Sequence, residues 1–61
     1  MSRREFENII SREFGQNVKA TTEKGLHIIK VVGITYFTRE NQSTIDAKWH
    51  GRLIRGTKVY A

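Results

Sequence analysis

The sequence predicts an α+β fold: an N-terminal helix packed on a three- to four-stranded antiparallel β-meander (αβββ). Three observations carry this expectation. Apolar residues recur at helical spacing only at the start of the chain, at Phe6, Ile9, Ile10 and Phe14. β-branched and aromatic residues crowd the segment from Leu26 to Thr38. Ile45, Ala47 and Trp49 alternate with Asp46, Lys48 and His50, the period of a half-buried strand.

The helix is expected over residues 3–14. Ser2 stands three residues before Glu5, the capping-box spacing, and Gly15 follows the last apolar residue, where a left-handed C-cap fits. Residues 17–23 then alternate Val18, Ala20 and Thr22 with polar neighbours and read as an edge strand. Glu23-Lys24-Gly25 reads as a turn. Residues 26–38 read as one long central strand. The alternation changes phase within it, and Gly33 is taken as a kink or bulge. Arg39 to Ser43 is polar and loop-like. A further strand begins at Ile45, with a bulge at Gly51 and an extension through Leu53 and Ile54. Gly56 is expected to turn the chain into a short last strand over residues 57–60. The Phe and Ile stripe of the helix must lie on one sheet face, because nothing else in the chain can cover it.

At 61 residues the chain reads as a single compact domain, residues 1–61. A body this small buries only about 60% of the surface its unfolded chain exposes. It has no cysteine, so no disulfide and no thiolate zinc site, and only two histidines, too few for an ordinary metal cage. No cofactor and no metal is expected. Tight packing or self-association must supply stability, which makes a homodimer a partner to consider. No apolar run approaches the roughly 20 residues that span a bilayer, and no signal-peptide core follows Arg3-Arg4. The expectation is a soluble, cytoplasmic protein with no membrane partner.

The net charge is +5, from eleven Lys and Arg against six Asp and Glu. Almost all of the excess falls between Lys48 and Tyr60, which hold four basic residues and no acid. Such a cluster favours polyanions or an acidic protein surface. Lys48, His50, Arg52, Arg55 and Lys58 are therefore the candidate nucleic-acid contacts, joined by Lys30 and Arg39. In one extended strand, Lys48, His50 and Arg52 would share a face, and Trp49 would point with Ile45 and Ala47 into the core. Tyr36 and Phe37 are neighbours on opposite faces, so one of them is exposed. Tyr36 and Tyr60 are the candidate partner contacts. A solvated strand face explains the same basic residues without any ligand, since edge Lys and Arg also discourage strand-to-strand aggregation.

Signs of catalysis are sparse. The serines lack a nucleophile elbow, no phosphate-binding glycine motif occurs, and no residue is assigned a catalytic role. The exception to weigh is His27. The string Gly25-Leu26-His27, behind a helix and a first strand, resembles in topology the double-stranded-RNA-binding folds and the small toxin ribonucleases built on them. That resemblance spans about the first 50 residues and lacks the basic C-terminal helix those families use. It implies a His acid–base group acting on RNA. The leading expectation is a small non-catalytic nucleic-acid-binding regulatory factor for DNA or RNA. The alternative is a protein-binding modulator or inhibitor of a host enzyme or polymerase, of the size of mobile-element accessory proteins. A His27 ribonuclease is a remote third.

Overall fold

The fold is described from a computed structural model for residues 1–59, with the backbone alone at residues 55 and 57–59. Helix α1 runs Arg3–Phe14. Five strands follow: β1 Thr21–Glu23, β2 Leu26–Val31, β3 Ile34–Arg39, β4 Thr44–Trp49 and β5 Arg52–Val59. They form one antiparallel sheet in the order β1-β2-β3-β4-β5, so every strand pairs with its neighbour in the chain. The α+β meander expected from the sequence is what the chain forms, with five strands rather than three or four.

The helix ends as its sequence dictates. The Ser2 hydroxyl accepts the Glu5 amide at 3.1 Å, and Gly15 takes the left-handed conformation at φ 63°. Side chains of α1 then hold the segment that leaves it. Ser11 Oγ accepts from the Val18 amide at 3.0 Å, and the Glu7 carboxylate accepts from the Ala20 amide at 2.6 Å. These bonds keep residues 17–20 against the helix rather than in the sheet, so the first strand is only Thr21–Glu23. At the other end of the helix, the Met1 ammonium donates to the carbonyls of Arg39, Glu40 and Gln42 at 3.2, 2.6 and 2.6 Å.

Two further boundaries differ from the sequence reading, for one physical reason. Val32-Gly33 and His50-Gly51 are two-residue hairpin turns, not kinks within longer strands. Both residues of each turn have positive φ, 44° and 79° in the first and 51° and 76° in the second. That is the turn whose twist matches the twist of the strands it joins. The expected central strand is thereby two strands, and the strand expected beyond Ile45 is also two. Gly56 does not turn the chain. It lies within β5, where the pairing shifts opposite Ile45–Ala47, and its amide donates to Asp46 Oδ1 at 2.9 Å.

The register fixes the two faces. His27, Ile29 and Val31 of β2, Ile34, Tyr36 and Thr38 of β3, and Ile45 and Ala47 of β4 lie on the helix side. The buried core is Phe6, Ile9, Ile10, Ile29, Tyr36, Ile45 and Ala47. Phe14 stands edge-on to the Tyr36 ring at a centroid distance of 5.9 Å. Leu26, Ile28, Lys30, Thr35, Phe37, Arg39 and Lys48 lie on the other face. Among the described residues no helix is long and apolar enough to cross a membrane.

Val32 marks a local cost. It is 70% exposed, so its side chain contributes little packing, yet a β-branched residue is held at positive φ. That conformation costs a non-glycine residue roughly 1–2 kcal/mol. Val32→Asn, which gives the preferred Asn-Gly turn, is expected to stabilise the fold by about 1 kcal/mol. A thermal melt should then shift upward by about 4–8 °C for a domain of this size. An unchanged or lowered midpoint would contradict the strain.

Candidate nucleic-acid interface

The face of the sheet away from the helix collects three of the basic residues singled out by the sequence. Pairing sets Lys30 of β2 beside Thr35 of β3, Thr35 beside Lys48 of β4, and Lys48 beside Leu53 of β5. These four form one row across the sheet. The next row is Thr21, Ile28, Phe37 and Asp46, and the one after it holds Glu23, Leu26 and Arg39. Lys30 and Lys48, two strands apart, are therefore separated by about 10 Å at their backbones. Arg39 stands on the far side of Phe37, four residues along β3 from Thr35. Ile28 and Phe37 are half-buried between these cations.

The acidic residues on this face are placed differently. Asp46 is occupied, accepting from the Gly56 amide at 2.9 Å and from Gln42 Nε2 at 3.2 Å. Glu23 lies at the β1 edge, three strands from Lys48. The centre of the face thus presents three basic groups around an apolar strip, with the one central carboxylate held by an amide and a carboxamide.

The remaining sequence candidates are not brought into this group. The His50-Gly51 turn puts Lys48 and Arg52 on different strands, with Lys48 paired to Leu53 and Arg52 paired to Trp49. Paired residues share a face, so Arg52 lies on the helix side and Lys48 on the open side. The shared face expected for Lys48, His50 and Arg52 is thereby corrected. His50 sits in the turn with its ring 4.5 Å from that of Trp49. Arg55 and Lys58 lie in β5 by their backbone, Lys58 paired with Ile45, and their side chains are outside the described residues. Tyr60 is outside the described residues altogether.

Two aromatic assignments are reversed. Tyr36 is 5% exposed and packs under the helix, so it cannot be a partner contact. Of the Tyr36-Phe37 pair, Phe37 is the one on the open face, where it is half-buried. Trp49 shares the core face with Ile45 and Ala47, but it stands at the end of β4 and is 47% exposed. Ile54, paired with Ala47, and Leu53 are 44% and 49% exposed. The helix side of the sheet is therefore covered over β2, β3 and most of β4 and open toward the β4–β5 hairpin.

His27 is 5% exposed and holds a bond on each ring nitrogen. Nδ1 is 2.8 Å from Thr22 Oγ1, and Nε2 is 2.7 Å from Glu40 Oε2. An ionised carboxylate only accepts, so Nε2 carries the proton toward Glu40, and Nδ1 shares a hydrogen bond with the Thr22 hydroxyl. A hydroxyl, an imidazole and a carboxylate in line are the parts of an acid–base relay. Here, with both nitrogens committed beneath the sheet edge, they tie β1, β2 and the β3–β4 turn together. Thr38, also buried, donates to the Thr44 carbonyl at 2.8 Å. Among the described residues no group of three or more His, Asp or Glu side chains could hold a metal.

No family model, curated protein or solved structure matches the chain. The residues themselves must carry the functional reading.

A tying role for His27 has a measurable signature. His27→Ala removes two bonds and leaves a void under β2, and is expected to cost about 2–4 kcal/mol in urea unfolding. Glu40→Gln, at a position whose side chain is 67% exposed, should cost under about 1 kcal/mol. Near-wild-type stability for His27→Ala would overturn the tying role.

Proposed function

We propose that this chain is a non-catalytic nucleic-acid-binding protein that meets its ligand with the open face of its sheet. The observation that carries the reading is the cross-strand arrangement of Lys30 and Lys48 on either side of Thr35, with Arg39 beyond Phe37. Lysine and arginine at such spacing neutralise successive phosphates and release the counterions condensed on them. The Thr35 hydroxyl between the lysines can donate to a phosphate oxygen. A net charge of +5 adds long-range attraction to any polyanion.

A second reading is favoured by a different observation. Trp49 and Ile54 are exposed on the helix side of the sheet, beside Arg52, where α1 does not reach. Aromatic, aliphatic and arginine side chains together are the composition of protein-contact anchors. The occupant would be an acidic protein surface or a second copy of the chain. Trp49→Ser is expected to abolish co-purification of such a partner, or to convert a dimer to monomer in sedimentation, without weakening nucleic-acid binding.

The primary reading is tested by fluorescence anisotropy with labelled DNA and RNA oligonucleotides at about 50 and about 200 mM salt. Binding is expected to weaken steeply with salt. The Lys30→Ala/Lys48→Ala double variant should bind roughly tenfold more weakly and lose about two from the slope of log affinity against log salt. Absence of salt-dependent binding to any oligonucleotide would end this reading.

A further inference from the structure

We infer that the open sheet face selects single-stranded over duplex nucleic acid, with Phe37 as the surface on which a base stacks. This rests on the nucleic-acid reading above and narrows it to one class of ligand. Three observations support it.

The first is shape. Five paired strands make a face roughly 20 Å across. A B-form major groove is about 12 Å wide and admits a helix or a two-stranded ribbon, not a sheet laid face-on. The basic residues in question are interior to the sheet, on β2, β3 and β4, so a duplex meets them only with its outer phosphates, whereas a single strand lying across the face can bring both phosphates and bases to them.

The second is the apolar strip. Phe37 lies on the central strand β3 and is paired with Ile28, and neither is covered by the helix. In a duplex the flat faces of the bases are buried in the stack and unavailable. In a single strand they are free, and an aromatic ring on an open sheet offers them a partner.

The third is charge complementarity around that ring. Lys30 and Lys48 flank Thr35 on one side of Phe37, and Arg39 lies two residues beyond it on the other, about 7 Å along the strand. Two carboxylates share the face with these three cations: Asp46, paired with Phe37 and bonded by the neutral Gln42 and Gly56 amide, and Glu23, two strands from Arg39 in its row. A backbone entering at the lysines and leaving at Arg39 carries a base across Phe37. The assignment needs no specific base, because every base has a π face.

The test compares one labelled sequence in three forms, as single-stranded DNA, as single-stranded RNA and as duplex DNA, at the same salt concentration. Wild type is expected to bind both single strands at least about tenfold more tightly than the duplex. Phe37→Leu should weaken single-strand binding roughly tenfold and leave duplex binding and the salt slope unchanged, while Phe37→Tyr retains binding. Circular dichroism and a thermal melt verify that each variant is folded. Equal affinity for single strand and duplex overturns it, as does an unchanged affinity in Phe37→Leu while Lys30→Ala/Lys48→Ala still weakens binding. In both of those cases nucleic-acid binding itself stands. No binding in any form removes the underlying reading.

Discussion

One amphipathic helix must seal a five-stranded sheet, and everything else about this molecule is arranged around that constraint. The stripe of Phe6, Ile9 and Ile10 meets Ile29, Tyr36, Ile45 and Ala47, one or two residues from each of the three central strands. A 12-residue helix is about 18 Å long. It covers the helix side of β2, β3 and most of β4 but cannot also reach the β4–β5 hairpin, and it leaves the opposite face open. The chain therefore has a packed face and two surfaces with no covering element of its own. Both functional readings arise from that shortage of cover: the basic, aromatic face behind the sheet, and the Trp49–Ile54 patch beyond the helix.

The core also contains polar groups, and their pairing makes this possible. His27 and Thr38 lie under the helix side, and each has a partner: Thr22 and Glu40 for the imidazole, the Thr44 carbonyl for the hydroxyl. A buried polar group without such a partner would cost a few kcal/mol in a domain with little to spare. The same bonds secure the short strand β1 and the β3–β4 turn, which have few apolar contacts to hold them. The Met1 ammonium and Gln42 carboxamide add bonds at that turn. The bottom of the sheet is thus held by polar contacts and its middle by apolar ones.

The helix was legible to the residue, because cap, stripe and C-terminal glycine agree and all act within a few positions. The sheet was legible as a class but not in its strand count. Val-Gly and His-Gly are not the residues expected at a two-residue turn, so Gly33 and Gly51 read as irregularities inside strands. Once those turns are missed, facing is lost too, since a hairpin reverses the chain and one residue decides which side a group occupies. The phase was further blurred by side chains that break the simple rule. His27 and Thr38 face the core, while Leu26, Ile28 and Phe37 face away from it. For this reason periodicity alone puts Tyr36 at the surface and Lys48 with Arg52. Nothing in the local sequence around Lys30 and Arg39 signals that they share a face with Lys48. That relation depends on cross-strand register, which local periodicity does not contain.

Connectivity has a kinetic consequence. Every strand pairs with its immediate neighbour, three of the four hairpins close through two residues, and among the described residues helix docking and the Met1 contacts span the longest stretches of chain. Loop-closure entropy is small at each step, so the meander can zip in chain order and folding should be rapid for a β-rich domain. The order of opening follows as well. No described side chain of β5 belongs to the buried core, so among the described residues this strand is held by its pairing with β4 rather than by packing under the helix. Hydrogen exchange in β5 would then report a local equilibrium distinct from global unfolding. Whatever binds along that strand would also act on that pairing with β4.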